Sequence, residues 1–280
     1  MRLAEKIHLL KHDFEILLGP GKKISRFVNS LIIFGEEITL IDSGVKTSID
    51  NIFSYISQNQ RDPSEISTLI LSHSHPDHIG SAMKIKKMTG CKIMAHEAEK
   101  DWMEDIELQQ RQRPVPGFLN LADESVILDS FLHHDQELLA DENVTLRILH
   151  SPGHSRGSLN IQFIEDKIMF TADSIPVMND IPNYEDFRDL IITLSAIHGN
   201  RDFEILITSW TSPLSERDKI IHLLKDAERY LRQLDDSVRH IYTGIEITPL
   251  EFCSNVIKEL GLPEFFINPI VDKAFRTHLR

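Results

Sequence analysis

Apolar residues follow two different spacings along the first hundred residues. Two runs rich in β-branched side chains, 28–35 and 38–44, are separated by Gly35-Glu36-Glu37, and this pattern predicts a β-hairpin. Residues 47–60 instead place apolar side chains at helical spacing, with Thr47 at the expected N-cap. The same reasoning predicts three further elements before residue 97: a buried strand at 66–73, a helix at about 78–90 and a short strand at 91–96.

The pattern changes after residue 96. We predict an inserted helical excursion at about 97–132, where mixed charges surround the helix-breaking sequence Pro114-Val115-Pro116-Gly117. The β pattern then resumes, and the remaining predicted elements are strands within 144–154 and 158–174, with a turn at Glu165-Asp166, a helix at about 184–198 and a strand at 204–210.

Strands that alternate with helices in this way predict an α/β fold whose helices cover the sheets. After Pro213 the pattern is helical only, with Thr248 at a helix start and Gly261 at a helix end. We therefore predict a main domain at 1–213 and a C-terminal helical region at 214–280.

Composition and charge narrow the classes of partner. The chain has 280 residues, 41% hydrophobic and 26% charged, which is ordinary globular composition. Its 43 acidic residues outnumber 30 basic ones and give a formal charge of -13. Such a charge repels a phosphate backbone, and no basic patch compensates for it, so nucleic acid is not expected as a partner.

Neither a membrane partner nor a cysteine-based site is indicated. No apolar run approaches 18 residues, and the first residues alternate charged with apolar side chains, unlike a signal peptide, so a cytoplasmic location is expected. The two cysteines, Cys91 and Cys253, form no C-x-x-C motif or pairing pattern.

The strongest chemical signal is a cluster of ligand-type residues after the predicted strand at 66–73. Within six residues the chain carries His73, His75, Asp77 and His78. A buried strand anchors such a segment while the following turn lets its side chains converge on one point. Imidazole and carboxylate together suit a divalent ion, with zinc favoured and iron or manganese as alternatives.

The segment His73-Ser74-His75-Pro76-Asp77-His78 resembles the H-x-H-x-D-H signature of the metallo-β-lactamase superfamily. Other motifs of that superfamily have similar counterparts in the same order: Asp42 in TLIDSG, His154 in SPGHSRGS and Asp173 in FTADS. The resemblance spans about residues 28–212. It implies an αβ/βα sandwich of two mixed sheets flanked by helices, with one or two metal ions at one edge between the sheets.

The resemblance also implies roles for these residues. His73, His75 and His154 would hold a first metal, Asp77 and His78 a second, and Asp173 would bridge the two. The metals would activate a water as hydroxide, which Asp77 would orient before it receives a proton. Asp42 would fix the ligand loop without binding metal.

One position departs from the superfamily pattern. Members usually place a final histidine after the last core strand, where it completes the second metal site. Alignment by that strand puts Trp210 at this place, and an indole N–H cannot ligate a metal. The departure predicts weaker occupancy of the second site.

The function that best fits these features is hydrolysis of an ester, thioester or lactone of small molecular size, as in the glyoxalase-II-like and lactonase-like branches that the sequence resembles. Two alternatives stay open. One is a mononuclear iron oxygenase of the persulfide-oxidising type, using His73, His154 and Asp173. The other is a metal-dependent nuclease, which the charge disfavours. A homodimer is compatible with the sequence.

Overall fold

The computed structural model describes residues 1–19, 22–244 and 248–280. Eleven strands occur in these ranges: β1 (Ile7–Gly19), β2 (Lys22–Phe34), β3 (Ile38–Ile41), β4 (Ile66–Ile70), β5 (Lys92–His96), β6 (Ser130–Leu132), β7 (Glu137–Asp141), β8 (Val144–His150), β9 (Leu159–Phe163), β10 (Ile168–Phe170) and β11 (Ile205–Ile207).

Ten α-helices lie in the same described ranges: α1 (Ser48–Gln58), α2 (Pro76–Ile79), α3 (Ala82–Thr89), α4 (Lys100–Glu104), α5 (Ile106–Gln112), α6 (Phe118–Leu121), α7 (Phe187–Gly199), α8 (Arg217–Ile241), α9 (Pro249–Glu259) and α10 (Pro269–Arg276). None of them combines the length and the apolar character needed to cross a lipid bilayer.

The strands form two mixed sheets. The first has the order β1-β2-β3-β4-β5-β6, antiparallel from β1 to β3 and parallel from β3 onward. The second has the order β11-β10-β9-β8-β7, in which only the pair β10 and β11 is parallel.

Three apolar clusters hold four layers together. Because side chains alternate along a strand, Ile41 and Ile70 point into the cluster between the sheets, while Leu40 and Leu69 point to a second cluster that includes helix residues such as Ile52. The third cluster lies on the outer side of the second sheet. The layers therefore follow the order helix, sheet, sheet, helix, and the predicted αβ/βα sandwich is confirmed.

The helices after Pro213 complete the outermost layer. Leu224 of α8, Phe252 of α9 and Phe275 of α10 share one buried cluster with Leu190 of α7 and Leu206 of β11. The C-terminal helices are thus packed on the second sheet through a continuous apolar core. Residues 245–247 of the predicted C-terminal region lie outside the described residues.

Several predicted elements need correction. The single helix expected at about 78–90 is two helices, α2 and α3, separated at Gly80 and Ser81. The excursion at 97–132 is helical only as far as Leu121, and its last residues form β6, which pairs in parallel with β5. Thr47 lies at the N-cap of α1, but its side chain makes no capping hydrogen bond.

The strand β1 was not predicted, although it sets the environment of a buried histidine. His12 is 3% exposed, its Nε2 lies 2.7 Å from Ser30 Oγ, and its Nδ1 lies 3.3 Å from Asn51 Nδ2. The amide of Asn51 can only donate, so His12 is neutral with its proton on Nε2. Burial lowers the pKa of His12 to about 4.

We predict that His12 makes the fold sensitive to mild acid. Its pKa in the unfolded chain is about 6.5, so the unfolded chain takes up a proton below that pH while the folded chain resists it down to about 4. Stability therefore falls as the pH drops through this window. Between pH 7 and pH 5 the wild type should lose about 2 kcal/mol more than the His12→Gln variant, as measured by urea unfolding.

The matched control is His222→Gln, because His222 is exposed on α8. This variant should keep the wild-type dependence on pH. An equal loss of stability in the wild type and in His12→Gln would show that His12 does not carry the effect.

Candidate metal centre

The predicted ligands lie in three segments that each follow a core strand. After β4, His73 and His75 lie in a loop, and Asp77 and His78 lie in the short helix α2. The loop after β8 carries His154, and the loop after β10 carries Asp173. One strand belongs to the first sheet and two belong to the second. The loops meet at one edge of the sandwich, where rigid strands fix the start of each loop.

Four of these residues form one compact group. His73, His75, His154 and Asp173 are buried, and each offers a ligand atom within 4.8 Å of the others. Nδ1 of His75 lies 3.0 Å from Nε2 of His73 and 2.8 Å from Nε2 of His154. Oδ2 of Asp173 lies 3.3 Å from the same atom of His154. Zinc bonds of about 2.0–2.1 Å place tetrahedral ligands about 3.3 Å apart, so this spacing fits a metal ion.

The hydrogen bonds made by the Nδ1 atoms of His73 and His154, which face away from the centre, fix which ring nitrogens carry protons. Nδ1 of His154 donates to the carbonyl oxygen of Asn183 at 2.8 Å. Ser72 Oγ donates to Asp42 at 2.7 Å and so accepts from Nδ1 of His73 at 3.0 Å. In the neutral rings of His73 and His154, Nε2 therefore carries a lone pair and no proton. Both of these lone pairs point at Nδ1 of His75. One proton cannot satisfy both of them, whereas a cation between the rings would.

A second set of ligand atoms lies beside the first. Nε2 of His78 is 3.3 Å from Oδ1 of Asp173 and 3.9 Å from Oδ2 of Asp77. Although Nε2 of His78 and Oδ1 of Asp173 face each other, both are buried without an aligned hydrogen-bond partner. Two atoms that bind the same metal ion would face each other in this way without a hydrogen bond between them. The residues present therefore fit a divalent metal at both positions.

Asp42, which follows β3, is hydrogen-bonded at two points to the ligand-bearing segment after β4. Its carboxylate accepts hydrogen bonds from Ser72 N at 2.7 Å, from Ser72 Oγ and from Nδ1 of His78 at 2.7 Å. Asp42 adopts φ 60°, and Ala172, next to Asp173, adopts φ 44°. Left-handed backbone is uncommon for residues other than glycine and is concentrated at functional sites.

Burial and charge set the protonation of the histidines. Burial, the largest effect, lowers the pKa of His73 and His75 well below its usual range and that of His154 to about 4, which leaves the neutral form that binds metal. His78 differs, because Asp173, Asp42 and Asp77 outweigh burial and raise its pKa well above the usual value. A divalent ion would take the place of that proton.

Trp210 lies in the wall of the cavity that opens onto this centre. The segment around it contributes no atom to the group of four ligands found within the described residues. His198, a nearby histidine in sequence, is paired with Glu228 at 2.9 Å between α7 and α8. Neither Trp210 nor His198 adds a candidate ligand to the second set, which consists of Asp77, His78 and Asp173.

Gly153 permits the tight approach of the loop that carries His154. It adopts φ 127°, and a side-chain carbon at this position would lie 2.4 Å from the backbone of Leu190. The carbonyl oxygen of Gly153 accepts hydrogen bonds from Glu185 N and Asp186 N. Any larger residue would push the His154 loop away from α7.

Glu99 is a buried acid that sequence reasoning missed. It is 2% exposed, and its carboxylate accepts hydrogen bonds from Ser74 N at 3.0 Å, from Gly157 N at 2.6 Å and from Ser155 Oγ. It therefore joins the loop of His73 and His75 to the loop of His154. Only its place in the charged excursion could have drawn attention to it, since its partners are distant in sequence.

Comparison with known proteins places the chain in a family. A model of the Metallo-beta-lactamase superfamily matches residues 25–228. The match covers more than half of the chain, so the protein belongs to this superfamily.

The relatives of similar sequence include hydrolases. Hydroxyacylglutathione hydrolase GloC of Haemophilus influenzae is 29% identical over 109 residues, which cover 39% of this chain and 49% of that protein. A hydroxyacylglutathione hydrolase of Rhodopseudomonas palustris is 25% identical over 144 residues, covering 51% of this chain and 48% of that protein. The chain thus spans about half the length of these curated relatives.

Solved structures share the fold at low sequence identity. A metallo-beta-lactamase family protein from Thermus thermophilus has a TM-score of 0.73 at 16% identity, covering 99% of this chain and 93% of that one. The class B3 di-zinc metallo-beta-lactamase LRA-12 from an Alaskan soil metagenome has a TM-score of 0.60 at 20% identity, covering 78% of this chain and 94% of that one.

We predict that Glu99→Gln weakens metal binding without unfolding the protein. An amide NH2 group would replace one of the two acceptor oxygens, so the side chain could no longer accept hydrogen bonds from both ligand loops at once. Removing a group that orients a metal ligand lowers metal affinity by about 10- to 100-fold. We expect a decrease of this size when the variant competes for metal with a chromogenic chelator.

Glu97→Gln serves as the control, because Glu97 is exposed on the same turn of helix. It should bind metal as the wild type does. Unchanged affinity in a folded Glu99→Gln variant would show that the loops hold their positions without this carboxylate.

Proposed function

We propose that this protein is a metal-dependent hydrolase that cleaves an ester, thioester or lactone. The observation that carries the proposal is the convergence of four ligand atoms within 4.8 Å at the end of an apolar cavity. The hydroxyacylglutathione hydrolases among the relatives act, by their names, on an acyl compound of a thiol. Their similarity to this chain supports an acyl-transfer reaction to water.

The ligand set favours zinc over the iron of an oxygenase. An iron oxygenase would use two histidines and one carboxylate, whereas His75 adds a third imidazole to His73, His154 and Asp173. Four nitrogen and oxygen ligands in compact arrangement are typical of zinc. Bound zinc would lower the pKa of a water molecule toward neutrality and polarise a substrate carbonyl.

The side chains of the chain itself would orient the reactants. Asp77 lines the cavity beside His75 and Asp173, so its carboxylate faces the space in which a water and a scissile carbonyl would meet. It can hold the attacking water in line by accepting a hydrogen bond. After attack it can accept the proton and pass it to the leaving group.

The surrounding cavity would keep bulk water from this reaction. Its volume is about 190 Å³, and apolar residues such as Ile175, Leu190 and Trp210 form much of the wall. A site with low polarity strengthens the interaction between the developing negative charge and the groups that stabilise it. A small acyl compound with an apolar portion is therefore the substrate class that we propose.

We predict that His154→Ala loses both metal and hydrolysis. Removing one ligand leaves too few groups to replace the hydration shell of the ion. Turnover of a panel of aryl esters, thioesters and lactones should fall by more than about 100-fold, since residues that only orient a ligand already contribute 10- to 100-fold. The decrease should follow the metal content measured on the same samples.

The matched control is His222→Ala, which removes an exposed histidine of α8. It should leave metal content and turnover unchanged. Full turnover by a metal-free His154→Ala variant, or a wild type with bound zinc that cleaves none of the three compound classes, would refute the proposed function.

A further inference from the structure

Arg113 is a buried cation that has no ion-pair partner in the part of the chain that the structure describes. It follows α5 and is 8% exposed. Within the described ranges its guanidinium makes one side-chain hydrogen bond, from Nη2 to Oδ1 of Asn183 at 2.8 Å, and no carboxylate lies within 4.0 Å of it. Buried arginines are normally paired with an acid, because burying an isolated charge is costly. The remaining donors of Arg113 face the cavity, which its side chain lines.

The acidic groups around Arg113 do not touch it. Four carboxylates act on Arg113 from beyond direct contact: Asp77, Glu185, Asp173 and Glu99. Asp77 and Asp173 face the metal centre, and Glu99 accepts hydrogen bonds from the two ligand loops. One oxygen of Glu185 is paired with Arg156 at 3.3 Å, and its other oxygen is buried without a hydrogen-bond partner. The guanidinium therefore lacks a counter-charge in direct contact, which a ligand can supply.

The position of Arg113 is fixed relative to the metal centre. Asn183 receives the guanidinium hydrogen bond through its side chain, and its backbone carbonyl accepts the Nδ1 proton of His154 at 2.8 Å. One residue thus orients both the ligand His154 and the arginine. A group bound to Arg113 would consequently lie at a set distance from the reacting carbonyl.

The rest of the cavity wall is apolar or internally neutralised. The β1-β2 hairpin contributes Phe14, Ile16 and Ile24, and the C-terminal region contributes Phe265, Phe266 and Ile270. The other lining arginine, Arg26, donates two hydrogen bonds of 2.8 and 2.9 Å to Asp180 and is paired. Among the described residues, Arg113 is therefore the cation in this cavity wall that has no carboxylate within 4.0 Å, and much of the wall outside the metal centre is apolar.

We infer that Arg113 binds a carboxylate of the substrate, which is an acyl compound with an apolar body and a single negative charge. This inference rests on the proposed hydrolase function and names its substrate class. A planar guanidinium with free donors matches the two oxygens of a carboxylate. One unpaired cation balances one negative charge, and the apolar wall favours a ligand whose remaining surface is hydrocarbon.

Binding of simple ligands tests the inference without catalysis. Hexanoate and hexanamide have the same apolar chain and differ in charge, and their dissociation constants can be measured by isothermal titration calorimetry on the zinc-loaded protein. The wild type should bind hexanoate with a dissociation constant at least about 10-fold lower than that of hexanamide, since a hydrogen bond to a charged group contributes an affinity difference of that size. Arg113→Met, which keeps a long apolar side chain, should lose this preference.

Arg111→Met is the control, because Arg111 is exposed on the same helix and should not alter the preference. Arg113→Lys keeps the charge but loses the planar fork, so it should retain only part of the preference and serves if the Met variant does not fold. If Arg113→Met and Arg113→Lys both keep the full preference for hexanoate, the carboxylate binds at the metal ions and the inference is overturned. Equal binding of the two ligands by the wild type would also overturn it.

Hydrolysis separates this inference from the proposed function. Aryl esters of a dicarboxylic acid, with the second carboxyl free or converted to an amide, should differ in kcat/KM by about 10-fold in the wild type and not in Arg113→Met. Hydrolysis of both esters at equal rates would refute the substrate assignment but not the hydrolase. Binding of hexanoate through Arg113 without hydrolysis of either ester would refute the hydrolase and leave the carboxylate site.

Discussion

The nitrogen lone pairs of buried imidazoles converge at the candidate metal centre, and a cation between them would stabilise this arrangement. The protons of His73 and His154 are directed outward, to Ser72 and to the carbonyl of Asn183, so their inner nitrogens have none to share. Without an ion these rings would face one another as acceptors. The surrounding structure is organised to hold them in this orientation.

The sandwich supplies that organisation through residues that do not bind metal. Asp42 fixes the loop after β4 from one side, and Glu99 joins it to the loop that carries His154. Asn183 connects the centre to Arg113 in the cavity wall. Phe265, Phe266, Asn268 and Ile270 of the C-terminal region line the same cavity, so this region bears on the site as well as on the core.

Local sequence patterns predicted the layers and the ligand-type residues that meet at the candidate centre, but not the groups that depend on distant contacts. The ligand cluster after β4 could be predicted because four ligand-type residues occur within six positions. Strand β1 was missed because the alternation that indicates a strand is interrupted: Leu9 and Leu10 are apolar in succession, and the polar residues His8 and His12 are buried. Strand β6 was missed because three residues are too few for a periodic pattern. Glu99 and Arg113 gave no local signal, because their significance comes from burial and from partners more than twenty residues away.

If a divalent ion lies between the converging imidazoles, the metal content of the protein shows it most directly. Mass spectrometry of the purified protein, dialysed against zinc-containing and then metal-free buffer, gives the number of ions per chain. We expect about one to two zinc ions in the wild type and less than about a tenth of an ion in a folded His73→Ala/His154→Ala double variant. A wild type that retains no ion, or a double variant that retains as much as the wild type, would contradict this expectation.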